Sequence, residues 1–404
     1  MIVEKFPSEF LRAKSVLGSL EQAGFEAYFV GGCVRDLLLS KPIHDVDIAT
    51  SAYPAEVKKI FRRTVDVGIE HGTVLVLQRG GSYEVTTFRT EGKYQNYRRP
   101  ESVSFVRSLE GDLQRRDFTI NALAMNRIGE ITDLFAGQGD LEKKLLRAVG
   151  EACERFNEDA LRMMRAFRFV SQLGFAIEEE TYQAIVSQIS LLEEISTERI
   201  QVEFLGMMVG EFRNKGLKAF IETDAFLYVP VLSEDHRDAL LKLLELPDEL
   251  IYTRSQVWAL IAYFLKFSKE EFKHFLREWK ESRTNSKEAQ LVLKCLKKRE
   301  KGFWTKEELY HTGLTYALLT EELLQLIFRR GEAQRVKEEF AQLAIKSRSE
   351  IVVRGGDLQR ELKRSPGEWL GDMLFKIESA IVNGDLLNDY SAIIDFLTQL
   401  EGEL

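Results

Sequence analysis

The stretch from Gly31 to Asp47 (GGCVRDLLLSKPIHDVD) constrains the fold of this chain most, because a double glycine, a short apolar helix pattern and two aspartates follow one another within it. The preceding run Ala27–Val30 (AYFV) is β-rich and ends abruptly at the glycines. A strand, a tight turn and a helix that opens at Val34 are therefore predicted, with the positive end of the helix aimed at the turn. Arg35 on the first helical turn adds a fixed cation, so the pattern indicates a site for phosphate.

Asp45 and Asp47 lie in a run of alternating acidic and apolar residues that continues to Ala49. On a strand, both carboxylates point to the same side. Two carboxylates at one edge repel each other, and a divalent cation between them is the simplest explanation of that cost. Oxygen ligands next to phosphate indicate Mg²⁺. The alternative is an ordinary strand with a solvated acidic face, beside a glycine turn that only reverses the chain.

The composition is that of a globular chain with a large core, since 404 residues with 45% hydrophobic content suggest two to four domains. Its three cysteines include no CxxC pair, so neither a disulfide framework nor a zinc ribbon is indicated. The first residues lack the features of a signal peptide and no apolar stretch reaches membrane-spanning length, so we expect a cytoplasmic protein without a membrane partner. The net charge of −8 argues only weakly against nucleic-acid binding, because phosphate contacts need one basic surface.

Short elements are predicted around these motifs. Ser8–Ala23 has helical spacing and stops at Gly24, while Thr73–Leu77 and Tyr83–Phe88 flank a glycine-containing turn and predict a β-hairpin. Within the second hairpin strand, Glu84 would supply a third carboxylate beside the aspartates if the two strands are neighbours. The alternative is a solvated glutamate without a role.

The segment Glu91–Ser104 is polar and tyrosine-bearing and shows neither strand nor helix spacing. A mobile loop is therefore predicted. Since it directly follows the strand that carries Glu84, it could close over a substrate; the alternative is a surface insertion without a role.

Arg115–Met125 (RRDFTINALAM) places two arginines and an aspartate before an apolar pattern with helical spacing. Arg116 is well placed for a phosphate, and a hydrogen bond from Asn121 to a ribose hydroxyl would favour ribonucleotides. The alternative is an ordinary helix start with an aspartate cap. Further along, the run that contains Asp133 (ITDLFAGQGDL) predicts a hinge or turn after a strand end.

A helix is predicted over Asn157–Leu173, with Asp159, Arg162, Arg165 and Arg168 on its polar side. A carboxylate accepts a hydrogen bond from the amino group of cytosine or adenine, and a guanidinium donates to their ring acceptors. Uracil and guanine present a carbonyl where the carboxylate would sit. Asp159 and Arg162 therefore form a candidate pair for selecting C and A, with the other two arginines available for ring or phosphate contacts. The alternative is a set of intrahelical ion pairs on a solvated face.

Together these segments resemble the class II tRNA nucleotidyltransferases of the poly(A) polymerase superfamily, and within them the bacterial CCA-adding enzymes. The resemblance rests on GGCVRDLLLSKPIHDVDIAT, YEVTTFR, the polar segment after it, RRDFTINALAM, TDLFAGQGDL and EDALRMMRAFRF followed by LGF, in the family's order and spacing. One departure is DLFAG at residues 133–137, where the family has DPFGG, which makes the hinge assigned to that motif the weakest match.

The resemblance implies an α+β fold, in which an N-terminal nucleotidyltransferase head of sheet and helices, similar to polymerase β, precedes a helical neck, body and tail. The implied boundaries are 1–150 for the catalytic head, 151–205 for a neck that recognises the base, 206–300 for the body and 301–404 for a tail that binds tRNA. From Val202 onward one helical pattern follows another, in agreement with this organisation.

The resemblance also implies roles for individual residues. Asp45 and Asp47 would hold two Mg²⁺ ions and, with Glu84, form the catalytic group. Gly32 and Arg35 would meet the triphosphate. The full implied set of nucleotide-binding residues is Gly32, Arg35, Arg116, Asn121, Asp159, Arg162, Arg165 and Arg168.

The implied activity is the addition of C, C and A to the 3′ end of tRNA from CTP and ATP, without a nucleic-acid template and with release of pyrophosphate. The tail would contact the tRNA elbow, and the basic cluster between Lys346 and Arg364 is the candidate surface. A bacterial poly(A) polymerase or a CC-adding enzyme would share the head, whereas a non-catalytic RNA-binding module would not need Asp45, Asp47 and Arg116 intact. The resemblance leaves open whether the chain forms a homodimer.

Overall fold

The computed structural model describes residues 2–68, 72–78, 80–91, 94–95, 99–100, 103–249 and 251–402. The chain divides into two units, Met1–Leu244 and Glu245–Leu404. All of the described strands lie in the first unit, and the described part of the second is helical. The predicted α+β class, with helices after a mixed sheet, is confirmed.

The first unit is built on a seven-stranded sheet, and its described residues form six further short strands outside that sheet. In chain order the strands are β1 (Ala27–Val30), β2 (Ile48–Thr50), β3 (Thr64–Gly68), β4 (Thr73–Gln78), β5 (Gly81–Thr87), β6 (Arg89–Glu91), β7 (Tyr94–Gln95), β8 (Arg99–Pro100), β9 (Val103–Phe105), β10 (Leu123–Met125), β11 (Ile131–Asp133), β12 (Leu145–Leu146) and β13 (Ala176–Ile177). The sheet order is β11–β10–β1–β2–β5–β4–β3, with β2 and β5 parallel and the other neighbours antiparallel. The pairs β6–β9, β7–β8 and β12–β13 form small separate ladders.

The helices of the first unit pack partly on this sheet and partly on one another. They are α1 (Ser8–Gln22), α2 (Gly32–Leu38), α3 (Pro54–Ile60), α4 (Leu109–Gln114), α5 (Gly137–Lys143), α6 (Ala152–Glu158), α7 (Leu161–Leu173), α8 (Glu179–Gln188), α9 (Thr197–Met208), α10 (Arg213–Glu222) and α11 (Arg237–Leu243). The amphipathic helix α1 packs on β1, where the rings of Phe10 and Phe29 meet edge to face with centroids 4.9 Å apart. Both rings are fully buried, so this contact belongs to the core of the head.

Two of the predicted elements are confirmed. Helix α1 ends where Gly24 has a positive φ of 86°, as a glycine C-terminal signal predicts. The hairpin pairs β4 with β5, with Gln78 opposite Gly81.

The apolar run after Asn121 is a strand, so the helical interpretation of that run is wrong. Leu123, Ala124 and Met125 form β10 between β1 and β11, and all three are fully buried. A strand covered on both faces has no polar alternation, and periodicity therefore does not distinguish it from a buried helix.

The single helix predicted from Asn157 is also wrong in its first turn. Helix α6 ends at Glu158, and Asp159 has an extended backbone (φ −141°, ψ 100°). The Asp159 carboxylate accepts a hydrogen bond from the backbone N–H of Leu161, the first residue of α7. Aspartate offers the backbone this alternative to a continuous helix, so the chain breaks there.

The polar segment predicted as a loop contains paired backbone. β6 pairs with β9, and Tyr94–Gln95 pair with Arg99–Pro100. Residues 92, 93, 96–98, 101 and 102 lie outside the described residues. The prediction that this segment closes over a substrate falls largely on them and stays a prediction.

The second unit consists of helices α12 (Arg254–Phe264), α13 (Lys269–Glu278), α14 (Arg283–Arg299), α15 (Lys306–Phe328), α16 (Ala333–Gln342), α17 (Gly355–Glu361), α18 (Glu368–Asn383) and α19 (Tyr390–Gly402). Trp258, Phe275 and Trp279 form a buried aromatic cluster in it. Among the described helices, none combines the length and apolar character that a membrane crossing needs. The division at Leu244 does not test the predicted boundaries at 150, 205 and 300, which stay predictions.

Candidate active site

The double glycine forms the turn predicted for it. Gly31 has a φ of 71°, and α2 begins at Gly32. A Cβ on Gly31 would lie 2.9 Å from Nη1 of Arg116, so only glycine lets that guanidinium come so close to the backbone. Arg35 lies on α2 and donates from Nη1 to Oδ1 of Asn121 at 2.7 Å. The turn, α2 and two of the predicted nucleotide-binding side chains are therefore in direct contact.

The aspartate pair precedes β2 instead of lying on it. β2 begins at Ile48, yet the alternation holds, since Val46 and Ile48 are buried while Asp45 and Asp47 are exposed. The parallel pairing of β2 with β5 sets Ile48 opposite Val85. Because register runs evenly along a parallel pair, Glu84 comes beside Asp47.

The electrostatics of Asp47 support this placement. Although part of the Asp47 residue is exposed to solvent, the protein atoms around its carboxyl group withdraw water from it and raise its pKa. The negative charges of Glu84 and Asp45 raise the pKa further, and Arg116 opposes them. Three carboxylates and one arginine thus act on one another, although no three His, Cys, Asp or Glu side chains in the described ranges converge closely enough to enclose a metal. The prediction that Glu84 stands beside the aspartates holds in the structure; its catalytic role stays a prediction.

Arg116 is held by an aspartate that sequence reasoning missed. Asp112 on α4 is only 1% exposed and accepts hydrogen bonds from Arg115 at 2.6 Å and from Arg116 at 3.1 Å. Burial opposes the charge of Asp112, but the two guanidinium groups together hold its pKa below the usual range. Nη1 of Arg116 also donates to the backbone carbonyl of Asn121 at 3.3 Å.

Asp117 joins the two halves of the site and was likewise not predicted. It is 8% exposed, and its Oδ1 accepts from Nδ2 of Asn121 at 3.1 Å. Its Oδ2 accepts from Nε and Nη2 of Arg165 on α7, at 2.7 and 2.5 Å. A chain of contacts therefore runs from Arg35 through Asn121 and Asp117 to Arg165, from the glycine turn to the helix predicted to read the base.

The charge of Asp117 gives a pH-dependent prediction. Burial opposes that charge, but Arg165 and Asn121 outweigh it and lower the pKa to about 2. Because the folded-state pKa lies below the unfolded value, Asp117 stabilises the fold above about pH 4 and this contribution is lost as the pH falls towards 2. Asp117→Asn is expected to cost on the order of 2 kcal/mol at pH 7, and the difference from wild type should shrink between pH 4 and pH 3.

Urea unfolding of both proteins at pH 7, 5, 4 and 3 measures this difference. Asp66→Asn is the matched control, since Asp66 is an exposed head aspartate whose partner is Lys58. A difference between Asp117→Asn and wild type that stays constant down to pH 3 would contradict the ionic role of Asp117.

The arginines of α7 are tied to neighbouring elements. Arg162 is 7% exposed and donates to Glu158 at 2.6 Å and to the backbone carbonyl of Arg115 at 2.8 Å. Arg168 donates from Nε to Glu203 at 2.5 Å. These side chains do not form the solvated face of an amphipathic helix, since α7 is buried on most sides.

Asp159 is paired across to α9. Its Oδ2 accepts a hydrogen bond from Nη2 of Arg199 at 2.6 Å, and its Oδ1 accepts one from the backbone N–H of Leu161 at 3.1 Å. Sequence reasoning missed Arg199 and Glu203; the available signal was a pair of opposite charges four residues apart on a helix with an otherwise apolar face. The structure thus places all the predicted site residues in the first unit, with the carboxylates at β2 and β5 and the candidate base-reading residues at the start of α7 and just before it.

The turn after β11 shows what its DLFAG sequence does. Asp133 accepts the backbone N–H groups of Gly137 and Gln138 at 2.8 and 2.9 Å and so caps the start of α5. A Cβ on Gly137 would lie 2.3 Å from the carbonyl oxygen of Thr119, so this glycine is required for close packing. The departures from the family pattern fall at Leu134 and at Ala136, whose left-handed backbone (φ 60°) is one that glycine adopts more easily than alanine.

Comparison with known proteins places the chain in a family. Residues 27–147 match the family model "Poly A polymerase head domain". The CCA-adding enzyme of Enterococcus faecalis is 49% identical over 396 residues, which cover 98% of this chain and 97% of that one. The chain belongs to the CCA-adding enzyme family.

Further members of the CCA-adding enzyme family agree over the whole length. The CCA-adding enzyme of Streptococcus agalactiae is 49% identical over 401 residues, or 99% of each chain. The crystal structure of the Bacillus stearothermophilus CCA-adding enzyme in complex with CTP superposes with a TM-score of 0.89 at 40% identity, covering 98% of this chain and 99% of that one. Residues 250–397 match "tRNA nucleotidyltransferase domain 2" and residues 174–235 match "Probable RNA and SrmB- binding site of polymerase A". The resemblance inferred from sequence is confirmed.

Proposed function

We propose that this chain adds C, C and A in turn to the 3′ end of tRNA, taking the nucleotides from CTP and ATP and releasing pyrophosphate. The observation that carries the proposal is the contact chain through Asp117, which joins the glycine turn to the helix with the candidate base-reading residues. One unit thereby contains both a place for a triphosphate and a means to choose its base. Nucleotidyl transfer with base selection needs both.

A divalent metal, which the family implies, fits the donor set, and we propose Mg²⁺ held by Asp45 and Asp47. Mg²⁺ in nucleotide enzymes binds through one or two carboxylates together with phosphate oxygens of the substrate, so the protein need not enclose it. Desolvation by the surrounding protein and the negative charges of Glu84 and Asp45 raise the pKa of Asp47, and a cation bound there would offset both effects. When bound, the metal supplies charge neutralisation for the attacking and leaving oxygens.

The chain's own residues bind and orient the reactants. Arg35 and Arg116 lie beside the glycine turn and bind the triphosphate, each held in place by a partner within the protein, Asn121 or Asp112. The 3′-hydroxyl oxygen of tRNA forms a new bond to the α-phosphorus while the bond to pyrophosphate breaks. No covalent intermediate with the enzyme is required, and Glu84 adds a third negative charge at the carboxylate group.

Base choice follows from hydrogen-bond polarity. An ionised Asp159 only accepts hydrogen bonds, so it accepts from the amino group of cytosine or adenine and repels the carbonyl of uracil or guanine. Arg162 donates to the ring acceptors of the same two bases, once its contacts with Glu158 and the backbone of Arg115 rearrange. The basic cluster between Lys346 and Arg364 binds tRNA phosphates in this proposal, and the protein acts in the cytoplasm.

The product of the reaction separates this proposal from its rivals. We expect a tRNA transcript that lacks its 3′ CCA, incubated with all four nucleotides and Mg²⁺, to gain CCA and then stop, as read by sequencing the 3′ ends. Repeated addition of A would identify a poly(A) polymerase, and a stop after two C residues would identify a CC-adding enzyme. No addition at all would favour a non-catalytic RNA-binding module.

A further inference from the structure

Helix α9 presents two charged side chains to α7 from a face that is otherwise apolar. Arg199 and Glu203 are one helical turn apart, and the residues around them, Ile200, Phe204 and Met207, are buried. Glu203 is buried and Arg199 is half-buried, and removing a charge from water is costly unless the charge is paired, so both side chains need a specific partner. Arg199 pairs with Asp159 in the break just before α7, and Glu203 pairs with Arg168 on α7.

The partner of Arg199 is Asp159. The carboxylate is anchored at both oxygens, since Oδ2 accepts from Nη2 of Arg199 at 2.6 Å and Oδ1 accepts from the backbone N–H of Leu161 at 3.1 Å. Each carboxylate oxygen has a second lone pair, so the anchored group can still accept a hydrogen bond from a ligand. Two anchors fix the plane of the carboxylate, which a single backbone contact would leave free to rotate.

One hydrogen-bond donor of the Arg199 guanidinium is left unpaired, which is not expected of a side chain that serves only to hold two helices together. Its Nη1 is buried and meets no acceptor among the described residues. Leaving a buried donor unpaired costs free energy, and such groups in folded proteins call for a specific explanation. Among the described residues, Nε of Arg116 shares this state, so two arginines near the candidate site carry a buried donor without an acceptor.

We propose that Arg199 is a positioning residue for base selection, whose guanidinium fixes the Asp159 carboxylate in the orientation that accepts the amino group of C or A. This inference rests on the proposed function, because Asp159 must read the base. Arg199 itself touches no nucleotide in the proposal. Pre-orienting the acceptor raises affinity for the matching bases and makes the mismatch with a carbonyl unavoidable.

The test measures kcat and KM for CTP and UTP on a tRNA transcript without CCA, and for ATP on a transcript that ends in CC. For Arg199→Gln we expect KM for CTP and ATP to rise about tenfold with a smaller change in kcat, and the preference for CTP over UTP to fall about tenfold. Arg199→Lys, which keeps the charge but not the planar fork, should restore part of that preference. Glu198→Gln, at an exposed neighbour on the same helical turn, should match wild type.

A brace between helices would behave differently. It predicts a lower melting temperature and an equal loss with all three nucleotides, with the CTP-to-UTP ratio unchanged, and that result would overturn the inference. If Arg199→Gln does not fold, Arg199→Lys decides alone: a ratio lowered about threefold supports positioning, and a wild-type ratio overturns it.

A double-mutant cycle separates this inference from the proposed function. If Arg199 acts only through Asp159, Asp159→Ala combined with Arg199→Gln should discriminate no worse than Asp159→Ala alone. Additive losses would overturn the positioning role while leaving the role of Asp159 intact. If wild type itself does not prefer CTP over UTP, the proposed base reading fails and this inference fails with it.

Discussion

Asp47→Asn is expected to lower the rate of nucleotidyl transfer about a thousandfold while leaving the fold intact or more stable. The rate falls because the amide removes one of the two carboxylates that hold the divalent ion. The fold does not suffer because burial, Glu84 and Asp45 all raise the pKa of Asp47, which means that the folded protein disfavours its charge. Neutralising this side chain removes a repulsion.

Single-turnover addition of radiolabelled C to tRNA measures the rate, and thermal unfolding measures the stability. Asp66→Asn, which neutralises an exposed aspartate on β3 at the far edge of the same sheet, is expected to keep full activity. Two outcomes would contradict the account: an active Asp47→Asn enzyme, or an inactive one whose melting temperature has dropped by many degrees.

Asp159→Ala is expected to lower the preference for CTP over UTP by ten- to a hundredfold. Removing the carboxylate removes both the acceptor for the amino group and the repulsion of a carbonyl. Arg199 then loses its partner, so some loss of stability accompanies the change. Competition between CTP and UTP for addition to tRNA without CCA measures the preference directly.

The control for Asp159→Ala is Glu154→Gln, an exposed acid on α6 that should leave the preference unchanged. Binding of the metal at Asp45 and Asp47 should also persist, so the Mg²⁺ concentration at half-maximal rate is expected to match wild type. Unchanged rejection of UTP and GTP by Asp159→Ala would show that another group reads the base.

The local motifs were predictable from sequence because each depends on a short stretch of chain. The glycine turn, the alternation around Asp45 and Asp47 and the β4–β5 hairpin are set by backbone preferences and side-chain period. Glu84 was predictable only conditionally, since its place beside Asp47 depends on β2 and β5 being neighbours, which turn signals alone do not settle.

The partners of the site residues were not predictable, because they depend on helices far apart in the chain. Asp117 contacts Arg165 and Asp159 contacts Arg199, across 48 and 40 residues. Nothing in the period of α7 reveals that its arginines form buried and half-buried ion pairs instead of a solvated face. β10 was misread for a related reason, because burial on both faces removes the alternation that marks a strand.

The most direct test of the central claim is the nucleotide preference of the wild-type enzyme at each step of the reaction. It requires kcat/KM for all four nucleotides on three tRNA transcripts that end before CCA, after C and after CC. We predict that CTP is preferred on the first two and ATP on the third, with UTP and GTP rejected throughout. The same preferred nucleotide on all three transcripts, or ready use of UTP on any of them, would contradict the account.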